Sequence, residues 1–274
     1  MKNIIILICS IYCCGSETVK RPDWKMGIAL YSFHEHPYET AIAMADSAKV
    51  RYVEGFSFYK MGPSFNDSSM GNLDSQGINR IRQTLQERHI TMSSMYVANP
   101  GNVNGWKKYF ELGVSLGLEY LVCEPAKADW DTIDSLAGIY KIKIAIHEHA
   151  RGSSDYWHPD SVLAAIKGHS NIGTCADLGH WARSGLDVVA CLKKLEGHII
   201  GIHVKDINEL NNPKAMDVNP GKGVIDYPAV IIELKRQHFN GYLNVECEHN
   251  MNNNLPDVKN ALDYIQQLST KQDK

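Results

Sequence analysis

The sequence predicts a single (β/α)8 barrel, and three observations lead there. Short apolar, β-branched runs alternate with longer stretches of helical periodicity, and the pair recurs eight times. The connections are too long for hairpins, so the strands run parallel. Polar residues crowd the ends of several strands, where a barrel of this type builds its active site. A chain of 274 residues is long for one domain, but such barrels run to about 250 residues as single units.

A polar connector, Glu17 to Lys25, leads into the first strand, Met26–Phe33, and its helix, Tyr38–Lys49. The second strand, Tyr52–Phe58, is followed by an irregular segment, Tyr59–Ser75, and the helix Gln76–His89. Strand Thr91–Val97 pairs with helix Trp106–Leu116, and strand Tyr120–Glu124 with helix Asp129–Tyr140. Strand Lys143–His149 precedes helix Asp160–Lys167, and strand Gly173–Asp177 precedes helix Asp187–Leu195. Strand Ile199–Val204 is followed by a second irregular segment, Asn208–Val224, and helix Tyr227–Arg236. Strand Tyr242–Glu248 and helix Pro256–Leu268 close the series. Several helices open on Asp or Pro, as helix starts do. The barrel therefore occupies residues 26–270 as one domain. An open doubly wound sheet fits less well, because no Gly-x-Gly-x-x-Gly follows the first strand and the polar strand ends are not confined to one switch point.

With 44% hydrophobic and 22% charged residues, the composition is that of a globular protein with a filled core. A net charge of −3 and a pI near 6.4 give no electrostatic reason to expect a nucleic-acid partner. Residues 1–14 differ from the rest: Met1-Lys2, the apolar run Ile4 to Ile8 and then Cys13-Cys14-Gly15-Ser16 follow the order of an export signal. That run is too short to span a bilayer as a helix. Cys14 is placed like the lipidated first residue of a bacterial lipoprotein, with residues 15–25 as the linker. The alternative is a buried N-terminal strand or barrel plug. The expectation is an exported protein, periplasmic or membrane-anchored, touching membrane only through that lipid. Of the remaining cysteines, Cys123, Cys175, Cys191 and Cys247, three lie in strand-like runs and are expected as small buried residues, not disulfides.

Four successive strand ends carry the chemistry. The fifth ends Ile146-His147-Glu148-His149, and alternation sends His147 and His149 to one side and Glu148 to the other. The sixth ends Asp177-Leu178-Gly179-His180, the seventh His203-Val204-Lys205-Asp206, and the eighth Glu246-Cys247-Glu248-His249. A lone His or Glu at a strand end is usually a rim residue. Repetition at four consecutive strand ends is not required by burial, and it predicts side chains converging on one divalent ion. A mixed imidazole and carboxylate set suits Mn, Fe, Co, Zn or Mg better than Ca.

The motifs Asp177-Leu178-Gly179-His180, His203-Val204-Lys205-Asp206, Pro220-Gly221-Lys222-Gly223-Val224-Ile225-Asp226 and Gly241-Tyr242-Leu243-Asn244-Val245-Glu246 resemble those of the xylose isomerase-like TIM barrel superfamily of sugar phosphate isomerases and epimerases. The resemblance implies an ion (Mn, Co, Mg or Zn) held by His147, Asp177, His203 and Glu246. It departs at His147, where the epimerase branch uses a glutamate as ligand and acid/base. Either His147 binds the ion or it acts as base, with Glu124 as a substitute ligand. The resemblance also makes His180 a substrate contact, the alternative being a partner for Asp177. Lys205 points into the mouth, either to stabilise a developing oxyanion or to pair with Glu246 or Asp177. Gly221 and Gly223 form a tight turn or a phosphate cradle.

The implied chemistry is removal of a proton next to a sugar carbonyl, through an enediolate, with His147, His149 or Glu246 as base and Lys205 beside them. Isomerase or epimerase activity leads among the expectations. A lyase that eliminates the C1 substituent of 3-keto-glycosides is the first alternative, and a non-catalytic sugar-binding lipoprotein the second. DNA repair of the endonuclease IV kind would need a multi-zinc cluster and a basic face, against the acidic balance.

Overall fold

The computed structural model describes residues 24–271, so the candidate export signal and all but the last two residues of the connector lie outside the described residues. Ten strands follow in chain order: β1 (Lys25–Ala29), β2 (Tyr52–Phe56), β3 (Thr91–Tyr96), β4 (Tyr120–Cys123), β5 (Lys143–His147), β6 (Ile172–Asp177), β7 (Ile199–Val204), β8 (Asp206–Ile207), β9 (Asp217–Val218) and β10 (Tyr242–Val245). Eight of them close into a parallel barrel in the order β1-β10-β7-β6-β5-β4-β3-β2. The short β8 and β9 pair antiparallel outside it. The helices are α1 (Tyr38–Ser47), α2 (Ser75–Glu87), α3 (Val103–Leu116), α4 (Trp130–Tyr140), α5 (Pro159–Ile166), α6 (Leu178–Arg183), α7 (Val188–Lys194), α8 (Tyr227–Arg236) and α9 (Leu255–Thr270). The predicted fold class is the observed one. Among the described residues no helix is long and apolar enough to cross a membrane.

Several strands end earlier than their apolar runs suggest, for a local reason in each case. After Ala29 the chain turns through a 3-10 segment, Leu30–Phe33. Beyond His147 the Glu148 carboxylate accepts the Asp177 N–H at 3.3 Å, so a side chain replaces the next ladder bond. Beyond Glu246, Cys247 N–H donates to Ser32 Oγ at 2.9 Å. The six-residue α6 was not expected, and the segment read as irregular, Asn208–Val224, contains β9.

Side chains alternate between the helix layer and the barrel axis. The outward residues join the main core with the helices, in which Trp106, Trp181, Tyr38 and Phe110 are fully buried. Inside, Tyr242 meets Tyr52 edge to face and Tyr120 at a tilt, with centroids 5.4 and 5.3 Å apart, and the three pack with Val122, Ala145 and Cys175. All four described cysteines are buried and unpaired, as expected.

Asp206 organises the long connection after β7. Its carboxylate accepts N–H bonds from Ile207, Gly221, Gly223 and Ile225 at 2.9 to 3.1 Å. The amides of Gly221 and Gly223 are thereby spent within the chain, so the turn reading of this motif holds and the phosphate cradle does not. Gly221 has φ +83°, a region L side chains rarely adopt. Asp206→Ala strands these donors in a buried place and is expected to lower unfolding stability by about 3 kcal/mol. Urea unfolding of the variant beside Asp206→Asn, which keeps one acceptor, checks this.

Candidate metal centre and active site

At the C-terminal end of the barrel, His147 closes β5, Asp177 closes β6, His203 lies in β7 and Glu246 follows β10. Each offers a nitrogen or oxygen within 4.8 Å of all the others, and all four are buried. His147 Nε2 lies 3.1 Å from His203 Nδ1 and 3.5 Å from Asp177 Oδ2; His203 Nδ1 lies 3.1 Å from Glu246 Oε2 and 3.7 Å from Asp177 Oδ2. Ligands about 2.1 Å from a common ion are about 3.0 to 3.4 Å from one another in octahedral or tetrahedral arrangement. Asp177 Oδ2 is buried without a hydrogen-bond partner. The spacing, the buried oxygen without a hydrogen bond and the nitrogen–oxygen donor set all fit a divalent cation of the Mn, Co, Zn or Mg kind.

Local structure divides the work of Asp177 between its two oxygens. Oδ1 accepts the His180 N–H at 2.8 Å and caps α6, while Oδ2 faces His147, His203 and Lys205. Burial by itself would raise the acid's pKa, but the Lys205 ammonium, foremost among its neighbours, outweighs it and holds Asp177 well below the usual carboxylate range. Burial lowers His147, which favours the neutral ring a ligand needs. His203 is fixed from behind: its Nε2 donates to Glu54 Oε1 at 2.8 Å, and Ser94 Oγ donates to Glu54 Oε2 at 2.7 Å.

Glu54 is fully buried and was not singled out from the sequence, although a carboxylate inside the run Tyr52-Val53-Glu54-Gly55-Phe56 was the available signal. Such a carboxylate behind a ligand histidine sets its tautomer and basicity. Glu54→Gln keeps the shape and removes the charge, and is expected to weaken divalent-ion binding by about 10- to 100-fold, read by competition with a chelator.

Lys205 is almost fully buried, and the pairing expected for it is present. Its Nζ lies 2.9 Å from Glu246 Oε2 and 3.4 Å from Asp177 Oδ2, and it also pairs with Glu248. Burial would lower its pKa, but Asp177, Glu246 and Glu248 together hold it well above the usual lysine value. Gly179 makes room for it, since a Cβ there would come 2.7 Å from Lys205 Cγ. The same ammonium, with His203, keeps Glu246 ionised against the cost of burial.

His149 and Glu124 stand outside this group of four. Glu124 lies 4.0 Å from His147 Nδ1, and its carboxylate is occupied by His149 Nδ1, Ser154 Oγ and, at 2.9 Å, Tyr96 Oη. A carboxylate only accepts, so the proton sits on His149 Nδ1 and Nε2 is the ring's exchanging atom. Burial opposes its charge, but Glu124 raises the pKa of His149; Glu124 in turn resists burial through His149 and falls to about 2. His180 lines the cavity, and burial holds its ring neutral despite the nearby Asp177.

His147, His149, His180, His203, Lys205 and Glu246 line a cavity of about 230 Å³. Its opposite wall, not anticipated from the sequence, is aromatic: Tyr31, Phe56, Phe58 and Tyr96, with Phe56 and Tyr96 stacked at 5.7 Å.

Residues 43–268 match the sequence pattern of the xylose isomerase-like TIM barrel family. An inosose dehydratase of Mesomycoplasma hyopneumoniae (strain 7448) is 36% identical over 144 residues, covering 46% of this chain and 48% of that protein. The chain thus spans about half the length of the curated relatives it matches. An uncharacterised protein of Parabacteroides distasonis ATCC 8503 is 31% identical and superposes with a TM-score of 0.72 over 89% of this chain and 99% of its own. The IolI protein, solved with a zinc atom, has the same fold at 18% identity, with a TM-score of 0.73 over 89% of this chain and 98% of its own.

Proposed function

Because the chain belongs to the xylose isomerase-like TIM barrel family, we propose that it is a metal-dependent lyase of a keto-sugar or keto-cyclitol, eliminating the group β to the carbonyl. This reverses the order suggested by sequence alone, in which isomerase or epimerase came first. The observation that carries it is His147, turned into the donor group where the epimerase branch has a glutamate. Reversing a stereocentre calls for two proton-exchanging groups on opposite faces, whereas elimination can proceed with one group that takes a proton and gives it back. The partial likeness to inosose dehydratases points the same way.

A divalent ion held by His147, Asp177, His203 and Glu246 would polarise the substrate carbonyl and stabilise the charge that gathers on its oxygen as the neighbouring proton leaves. His149 Nε2 takes that proton, with Glu124 holding the ring through Nδ1. The C–H pair becomes the new C=C bond, the C–O bond to the leaving group breaks with its pair, and His149 returns the proton to the departing oxygen. Lys205 keeps a permanent positive charge beside Glu246. Among the described residues it is also the only lysine or arginine lining the cavity, already engaged by three carboxylates, which favours an unphosphorylated sugar.

The test is incubation of the metal-loaded protein in D2O with a keto-inositol and with 3-keto-glycosides. A rising enone absorbance with release of water or alcohol is expected. A product of unchanged composition carrying one solvent deuterium would replace this reading with epimerase or isomerase. That second reading draws on Glu246, a further titratable group lining the cavity.

A further inference from the structure

Two imidazoles stand side by side in the mouth, and the proposed proton transfers use only one of them. The rings of His149 and His180 have centroids 4.6 Å apart, inclined at 50°, and both line the cavity. What differs is the group behind each ring. Behind His149 the Glu124 carboxylate only accepts, so the ring proton sits on Nδ1 and the lone pair on Nε2. Behind His180 stands Arg183, at the far end of α6, with Nη1 3.4 Å from His180 Nδ1. A guanidinium stays charged and cannot accept, so this contact is a hydrogen bond only if Nδ1 offers its lone pair. The single ring proton is then on Nε2, the atom that lies 3.9 Å from Asp177 Oδ2.

Arg183 has little freedom to leave this position. It is buried, its Nε and Nη2 donate to Ala215 O at 3.2 and 3.1 Å, and Nη2 also pairs with Asp217. Asp217 belongs to β9, in the small sheet outside the barrel. Its other oxygen accepts the Glu248 N–H at 3.2 Å, and the Glu248 carboxylate accepts from Lys205 Nζ. One carboxylate outside the barrel thus braces His180 through Arg183 and Lys205 through Glu248.

We infer that Arg183, held by Asp217, is a positioning residue that turns the His180 lone pair away from the mouth and leaves a fixed Nε2–H there, so that His149 is the base and His180 a hydrogen-bond donor. Two free bases in contact would compete for the substrate proton. One base beside one donor gives that proton a single destination, while the donor meets a substrate oxygen. The roles of the two rings rest on the elimination reading, whereas the tautomer of His180 does not.

Nitrogen-15 NMR of the zinc-loaded protein, labelled at histidine and assigned by comparison with His180→Gln, reads the tautomer directly. In the parent chain His180 Nδ1 is expected to resonate as an unprotonated ring nitrogen and Nε2 as a protonated one. The opposite tautomer, or a ring protonated at both nitrogens, overturns the inference without any variant. Arg183→Met should move the ring toward the Nδ1–H form and lower turnover of a keto-inositol by about 100-fold. Arg183→Met combined with Asp217→Asn leaves no unpaired carboxylate and carries the same expectation where the single variant does not fold. An unchanged tautomer in either folded variant, or a changed tautomer with undiminished turnover, overturns the inference. Should the parent chain release no water from the keto-inositol while the tautomer still follows Arg183, elimination fails and the positioning by Arg183 stands.

Discussion

A chain carrying Asp177→Ala and His203→Ala takes up no divalent ion, whereas the unaltered chain, freed of metal and then dialysed against Zn, Mn or Co, takes up about one. Two of the four converging donors are gone, and those that remain, His147 and Glu246, do not define a closed site. Activity is expected to fall by at least about 1,000-fold, since charge stabilisation at the reacting oxygen is lost together with the ion. Thermal unfolding gives a second readout. An ion present at a thousandfold its dissociation constant stabilises the native state by about 4 kcal/mol, and the double variant should show none of that gain. Asp177 also caps α6, so Asp177→Asn, which retains an oxygen for the cap, separates metal loss from local unravelling. Equal metal uptake by parent and double variant would discard this centre; no uptake by either would bring forward a sugar-binding role without catalysis.

Lys205→Met is expected to tighten metal binding and slow the reaction together. The ammonium lies 2.9 Å from Glu246 Oε2 and 3.4 Å from Asp177 Oδ2, the oxygens that face the converging histidines. Lysine and ion therefore compete for the same negative charge, and removing the lysine should raise affinity for zinc by about tenfold or more. Turnover should drop by about 100-fold, the usual cost of losing one fixed group that stabilises a developing oxyanion. Without metal, the variant leaves buried carboxylates uncompensated and should unfold about 3 to 5 kcal/mol more easily, a deficit that added zinc largely restores. Zinc affinity that falls in step with turnover would mean that Lys205 supports the ion and does not oppose it.

The barrel was legible because alternation of apolar runs and helical stretches is a local property, repeated eight times. What escaped was either too short or too distant. Six residues do not complete two helical turns, so α6 left no periodicity to read, and β8 and β9 contribute two residues each. At the site, His147, Asp177, His203 and Glu246 announced themselves as polar residues at strand ends. The Glu54 bond to His203 spans 149 positions and could not be read locally, because nothing near Glu54 names its partner. The sequence left open whether His147 or Glu124 joins the donor group. What bears on it, the bonds from Tyr96 and Ser154 to the Glu124 carboxylate, comes from two other segments and could not be read locally.

Closure of the ring by β1 against β10 has a consequence for how the protein acquires its ion. The donor group draws on β5, β6, β7 and the residue after β10, and the brace behind His203 comes from β2. The four donors lie in the later strands while the brace comes from the second, and a ribosome-bound chain lacks Glu246 until the last barrel strand has emerged. Pairings of such long sequence separation form late and slowly. Metal loading is accordingly a last step, following barrel closure, and refolding rates should not depend on zinc even where final stability does.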